Sequence, residues 1–291
     1  MILVTGGTGF VGPKIVHALR TAGKDVRALV RKPERGAALD VELVEGDVTN
    51  AASLRRAVEG CDAVVHLVAI ILGGPADFER VMAQGTRDLV AAARDAGVRR
   101  FVLMSALGVG TNTKELTPYY RGKWDMEQAV QGSGLEHVIF RPSFVFGSDG
   151  GALQVFMRQV RWSPVTPVIG DGNKEIQPIW VDDVAAYFAK GVDLPAAANR
   201  TFELGGPDVV TWNELYARIA AGLHKRRGRV NLPVGLVRAG AAMVEWLPNA
   251  PITRDQIQMI EAGDNTCDMT PANEAFRIET VPLDEMIRRA A

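Results

Sequence analysis

Cysteine is almost missing from this chain. Among 291 residues only Cys61 and Cys267 carry thiols, far apart and in no CxxC pair. That excludes a disulfide framework and a thiolate zinc site, and it points to a reducing intracellular compartment. Histidine is scarce as well. His17, His66, His137 and His224 fall in no ligand spacing, so no metal is expected. Charge of one sign is not in excess: the net charge is −1. A broad nucleic-acid surface needs a clustered positive surplus, so that class of partner is excluded. Long apolar runs are lacking too. The longest, Ala63 to Leu72, has ten residues and is interrupted by His66, too short for a transmembrane segment. The first residues run straight into a strand-like segment with no charged n-region or cleavage site. A cytoplasmic location is therefore expected, with a place at the periphery of a membrane complex left open. No internal repeat or low-complexity tract is found.

What is present is an ordinary globular composition, 47 % apolar and 23 % charged. It suits one large α/β domain, or one with a smaller lobe. The first half alternates strand and helix. Ile2–Val4, Asp25–Arg31, Val41–Val48, Asp62–Ile70 and Arg99–Ala106 read as strands. Val11–Gly23, Ala51–Gly60 and Gly85–Gly97 read as helices between them. Short continuous apolar strands separated by helices imply a doubly wound parallel sheet, the Rossmann architecture. Further on, Thr117 is the N-cap and Pro118 the first residue of a helix, Leu135–Gly147 is a strand, and Gln177–Val192 is a strand-to-helix unit. Thr211 and Glu214 have capping-box spacing and open another helix. Connectors near Pro164, Pro167, Pro248 and Pro251 suggest a smaller, discontinuous C-terminal lobe. The expected division is residues 1–148, with 175–204 returning to them, against 149–291.

Glycine is abundant where it matters. "TGGTGFVG", Thr5 to Gly12, follows the first strand and precedes the first helix. Gly7-x-Gly9-x-x-Gly12 and Gly6-x-x-Gly9-x-x-Gly12 both fit dinucleotide fingerprints. The glycines permit a tight turn, close approach to a pyrophosphate and close helix–strand packing. Free N–H groups at the helix start, with the positive end of its dipole, then face the phosphates. Gly6, Thr8, Gly9, Phe10, Val11 and Gly12 are the candidate contacts. About 20 residues beyond such a loop, an NAD enzyme carries an acidic residue for the ribose. This chain has Arg31 and Lys32 there, suited to a 2′-phosphate. NADP(H) is therefore expected over NAD(H). Asp47, with Val48 beside it, either accepts from the adenine amino group or caps a nearby turn. Val68 and Ala69, at the end of the fourth strand, join the candidate cofactor contacts. His66 reads as a buried structural histidine.

Four stretches, "TGGTGFVG", "GDV", "YYRGK" and "RPSFVFG", together resemble the extended short-chain dehydrogenase/reductase superfamily. "QPIWVDDVA", "FELGGPDVVTWNEL" and "PITRDQIQMI" resemble its atypical, NAD-dependent epimerase/dehydratase-like branch, which includes the nucleotide-binding accessory subunit of respiratory complex I. The resemblance implies a catalytic Tyr119 and Lys123, at YxxxK spacing on one helix face. The ammonium would favour tyrosinate, lowering a phenol of reference pKa ~10. Tyr120 is a competing phenol at a spacing of three. Glu127, one turn beyond, either steadies Lys123 or forms an exposed ion pair. Ser105 is either the implied third member or a structural strand-end residue, since Ala106 and Leu107 stand where the family often has further hydroxyls. Met82 replaces the family's usual Asn. Pro142, Ser143 and Phe144 would line the nicotinamide end. The apolar helix Pro233–Pro248 is ordinary lobe core, a substrate-cavity wall, or a docking face for a partner or membrane. Two functions follow as expectations. One is an NADP(H) oxidoreductase acting on a small or medium apolar carbonyl, or an isoprenoid- or quinone-like compound. The other is a non-catalytic NADP(H) module in a respiratory or other protein assembly.

Overall fold

A computed structural model describes residues 1–244 and 253–291 of the chain. Its elements run β1 (Ile2–Thr5), α1 (Gly12–Thr21), β2 (Val26–Val30), α2 (Pro33–Gly36), β3 (Glu42–Glu45), α3 (Ala51–Val58), β4 (Ala63–His66), α4 (Pro75–Phe78), α5 (Gly85–Asp95), β5 (Arg100–Met104), α6 (Pro118–Gln131) and β6 (Glu136–Pro142). Then come β7 (Val145–Phe146), α7 (Ala152–Trp162), β8 (Val165–Ile169), β9 (Glu175–Ile176), β10 (Ile179–Trp180), α8 (Val181–Gly191) and β11 (Arg200–Leu204). The last are β12 (Val210–Thr211), α9 (Trp212–Gly222), β13 (Gly228–Leu232), α10 (Val234–Val244), α11 (Arg254–Glu261), α12 (Thr270–Phe276) and α13 (Leu283–Ala290).

Two compact units divide the chain. One comprises Met1–Pro142, Val181–Leu204 and Asp268–Glu279; the other comprises Ser143–Trp180, Gly205–Cys267 and Thr280–Ala291. The first unit is built on a seven-stranded sheet of order β11-β6-β5-β4-β1-β2-β3, every pair parallel. All four residues of β1 and of β4 are buried, as continuous apolar strands covered on both faces require. On one face Leu54, Leu89, Phe101, Met126 and Ile139 belong to a single core cluster. Phe140 anchors a second cluster, with ring centroids 4.8 Å from Phe188 and 5.5 Å from Phe276. Truncating a ring so enclosed costs about 3–5 kcal/mol. The order reverses at β1, whose neighbours are β2 and β4. In open parallel sheets, ligands bind at such a switch, outside the strand carboxyl ends.

Local signals behave as their chemistry dictates. Thr117 accepts the Tyr120 N–H at 3.2 Å and caps α6. Thr211 and Glu214 close a reciprocal capping box on α9. The single strand expected over Leu135–Gly147 is instead two. Pro142 ends β6 in the large sheet, because it has no N–H with which to extend a ladder. Val145–Phe146 pairs with Ile179–Trp180 in the second unit. The helix expected over Pro233–Pro248 is α10 as far as Val244; its remainder, with Glu245, Pro248 and Pro251, lies outside the described residues. The lobe-core reading of α10 is corrected: Leu236 is 65 % and Met243 75 % exposed, and of the positions described in this helix only Ala241 is buried.

Candidate functional site

The turn after β1 does three separate jobs with three glycines. Gly6 has φ +79° and lies so close to the chain after β4 that a Cβ would sit 3.1 Å from the Val68 nitrogen. The Gly6 carbonyl accepts the Gly9 N–H at 3.0 Å, closing the turn. Gly12 begins α1 in backbone contact with that turn, where a Cβ would be 2.4 Å from the Gly6 oxygen. Gly9 is exposed, and a Cβ there would meet only the Gly6 oxygen, at 3.3 Å. Thr8 is exposed, and Phe10 and Val11 are half-buried. No side chain caps α1 and no acidic residue occupies its first turn. A pyrophosphate fits this cradle, because free amides and a positive dipole end meet it with no carboxylate competing.

Of the other candidate cofactor contacts, Val68 lies against that turn, beside Gly6. Val68 is half-buried and Ala69 exposed. Arg31 and Lys32 follow β2 directly and are exposed. Asp47 accepts from the Thr49 backbone and hydroxyl, both at 2.8 Å, so its Oδ1 holds a turn. Burial works to raise the Asp47 carboxyl, but the two Thr49 bonds, then Arg31 and Arg80, bring it below the usual carboxylate range. Arg31 and Asp47 are thus near enough to feel one another. Val48 is buried, with its carbonyl 3.2 Å from where a Gly85 Cβ would lie. Pro142 closes β6, whereas Ser143 and Phe144 begin the second unit. There the Ser143 hydroxyl donates to the Gln177 carbonyl at 2.7 Å, and Phe144 meets the Trp212 ring edge-on at 5.4 Å.

Lys123 and Ser105 meet at the end of β5, and Tyr119 lies beside Lys123. Lys123 is buried, and its Nζ donates to the Met104 carbonyl at 2.6 Å. The next residue, Ser105, is buried with its Oγ lacking any partner. The Lys123 Nζ lies 6.0 Å from the Tyr119 ring centre. Tyr119 is half-buried, whereas Tyr120 is buried, its oxygen 3.0 Å from where a Gly108 Cβ would lie. Burial pushes the Lys123 ammonium down to about 7, with Glu127 raising it only in part. The expected lowering of the Tyr119 phenol is not seen: burial, then Tyr120, holds it above the ordinary phenol range. The physical reason is that desolvation penalises tyrosinate while the neighbouring lysine is itself driven towards its neutral form.

Sequence reasoning misses two surrounding features, the Glu127–Arg141 pair and the π-helical turn at Met82, and holds for His66, read as a buried structural histidine. Glu127 is fully buried and takes two bonds from Arg141, at 2.9 and 2.6 Å, which corrects the exposed-pair reading. Arg141 comes from β6, and no spacing rule links it to α6. His66 is held between the hydroxyls of Thr5 at 2.6 Å and Thr86 at 2.9 Å. Burial lowers it to about 3, Lys123 adding to the effect, so it is a neutral structural group. Met82 lies in a π-helical turn, Glu79–Gln84, which interrupts the run from α4 to α5. Its Cε approaches within 3.2 Å of where a Gly122 Cβ would stand, so this position presents an apolar side chain to α6.

A glycine turn at the switch point of an all-parallel sheet, beside an uncapped helix start, defines a dinucleotide-binding Rossmann protein. The comparisons agree: a family model described as NAD(P)H-binding matches residues 6–189, and the chain belongs to that family. The ceramide reductase of Caulobacter vibrioides is 31 % identical over 259 residues, covering 86 % of this chain and 80 % of its own. NADH dehydrogenase (ubiquinone) 1 alpha subcomplex subunit 9, mitochondrial, of Mus musculus is 27 % identical over 98 % of this chain and 79 % of its own. A solved NADPH-dependent quinone oxidoreductase from Escherichia coli, complexed with NADPH, aligns with a TM-score of 0.81 at 20 % identity, covering 99 % of this chain and 98 % of that one. At that identity the likeness is one of fold. Among the described residues no helix is long and apolar enough to cross a membrane, and no cluster suits a metal ion.

Proposed function

We propose that this protein is an NADP(H)-dependent reductase of the atypical extended short-chain dehydrogenase/reductase type, acting on a small or medium apolar carbonyl or quinone-like compound. The observation that carries the reading is the orphaned Ser105 Oγ, buried next to the carbonyl that holds Lys123. A buried hydroxyl without a partner costs about 1–3 kcal/mol, so it suits a position completed by a ligand. Bound NADPH would supply a hydride from its nicotinamide. Gly6, Gly9 and Gly12 with the amides at the α1 start would hold the diphosphate, and Arg31 the 2′-phosphate. Asp47, Val48, Val68 and Ala69 would border the adenosine half, and Pro142, Ser143 and Phe144 the nicotinamide half. Tyr119 would hold a proton on its phenol oxygen and give it to the substrate oxygen. The raised Tyr119 pKa leaves the phenol protonated at rest, the form that can give a proton to the substrate oxygen. Lys123 orients the phenol from one turn away, and Ser105 would donate to the same substrate oxygen. In this reading residues 1–148 with 175–204 carry the cofactor and 149–291 the substrate or a partner. The name of the ceramide reductase relative supports a reductase acting on an apolar compound.

The test is NADPH consumption with a panel of apolar carbonyls and quinones, repeated with Tyr119→Phe. Turnover abolished by that change supports the enzyme. Two observations favour a second reading, a non-catalytic NADP(H) module within an assembly. Met82 is apolar where the family's relay needs a polar group, and the complex I subunit matches 98 % of this chain. Tight NADPH binding with no turnover on any substrate, and none lost in Tyr119→Phe, would favour the module and overturn the reductase.

A further inference from the structure

The second unit carries a face that this chemistry does not use. On α7, Trp162 is 78 % and Val155 44 % exposed, seven residues apart and therefore on one side of the helix. With Arg158, Gln159 and Ser163 they line a shallow cavity of about 340 Å³. Strand β8 then begins with Val165, also exposed. Strand β13 runs parallel to β8 with Gly228 opposite Val165. Arg227 ties the chain before β13 to the end of α7, donating to the Val160 carbonyl at 2.8 Å and the Arg161 carbonyl at 3.1 Å. These contacts bring the run His224-Lys225-Arg226-Arg227-Gly228-Arg229 beside the exposed indole. Lys225, Arg226 and Arg158 are exposed.

Charge is segregated here although the whole chain is nearly neutral. No carboxylate occurs within residues 150–170 or 215–244, the two segments that build this face. Of the acids on neighbouring elements, Asp208 and Asp284 pair with Arg218, Glu261 with Arg238, and Glu285 with Arg288 and Arg289, while Glu214 is taken up by its capping box and Asp171 by the Asn173 N–H. An exposed tryptophan and valines ringed by unneutralised cations match the headgroup zone of a bilayer. There an indole sits at the interface, aliphatic stems lie along the acyl boundary, and ammonium and guanidinium groups reach lipid phosphates. Continuing from β13, α10 adds a helix with one charged residue, Arg238, and exposed Leu236 and Met243.

We propose that the second unit docks on an anionic lipid bilayer, with Trp162 and Val155 entering the interface and Arg158, Lys225 and Arg226 meeting the headgroups. This surface stands apart from the reductase reading and does not depend on it. The experiment is flotation of the full chain with vesicles of phosphatidylcholine containing about one third phosphatidylglycerol, against phosphatidylcholine alone. The chain is expected to float with the anionic vesicles only and to be released by on the order of 0.5 M salt. The double change Lys225→Gln with Arg226→Gln should weaken vesicle binding about thirty-fold, and Trp162→Ala should weaken it roughly tenfold. Both variants should keep the parent's melting temperature and NADPH affinity. Equal flotation with neutral vesicles, no flotation at all, or variants that bind like the parent would each overturn the proposal. So would a concentration-dependent dimer lost in Trp162→Ala without any vesicle binding, since the occupant would then be a second copy.

Discussion

Gly12 and Gly9 belong to the same sequence pattern, yet the structure assigns them opposite vulnerabilities. A Cβ at Gly12 would lie 2.4 Å from the Gly6 oxygen and 2.5 Å from both the carbonyl carbon and oxygen of Gly7. Those are backbone atoms in a tight turn, so no rotamer change relieves the clash. Ordinary contact needs roughly 3.5 Å, and α1 would have to lift by about 1 Å from the sheet. Ile15, Val16 and Leu19 on the buried face of α1 would lose packing with it. We expect Gly12→Ala to cost about 3 kcal/mol, the upper part of the range for overpacking. For a chain of this size that lowers the melting temperature by roughly 5 °C. Gly9→Ala meets one oxygen at 3.3 Å on an exposed loop. Its stability should stay within about 0.5 kcal/mol of the parent. NADPH affinity should nevertheless fall roughly tenfold or more, because the new methyl stands where the diphosphate must approach the backbone. Thermal unfolding read beside calorimetric titration with NADPH separates the two effects. The reasoning fails if Gly9→Ala melts as early as Gly12→Ala, or if Gly9→Ala binds NADPH like the parent.

The remaining predictions concern charge. The folded Lys123 titrates near 7 against an ordinary 10.5, so between those values the unfolded chain holds a proton that the folded chain lacks. Stability from this group therefore rises with pH across that window, and below it the burial penalty is present in full. Lys123→Met should flatten the rise in unfolding midpoint between about pH 7 and 10; an unchanged slope would refute the assignment. Glu127→Gln removes the buried carboxylate of the Arg141 guanidinium, which keeps Glu203 at 3.6 Å, and should cost about 1.5–3 kcal/mol in denaturant unfolding. A loss under about 1 kcal/mol would mean the pair is not closed in solution. Arg31→Asp should weaken NADPH roughly tenfold in calorimetry while sparing NADH; equal loss for both coenzymes would remove Arg31 from the 2′-phosphate site.

Much of the architecture was legible because it is written in local spacing. Apolar runs of strand length, the glycine turn, and the caps at Thr117 and Thr211 each act within a few residues of themselves. The same holds for Tyr119 and Lys123, which one helix sets on one face. Strand breaks were less legible. The stretch through Pro142 looked continuous, and only pairing partners more than thirty residues away showed β6 and β7 joining different sheets.

By itself, then, the sequence determined the alternation of strand and helix, the turn for a diphosphate, and the basic residues after β2. Tertiary structure alone decided that Gly12 is a packing glycine and Gly9 an open one, and that Tyr120 turns inward while Tyr119 stays half-exposed. It alone joined Glu127 to Arg141 and left the Ser105 hydroxyl without a partner. The cause is physical. Hydrogen-bonded periodicity depends on neighbours in the chain, whereas desolvation and charge pairing depend on what the fold brings from elsewhere.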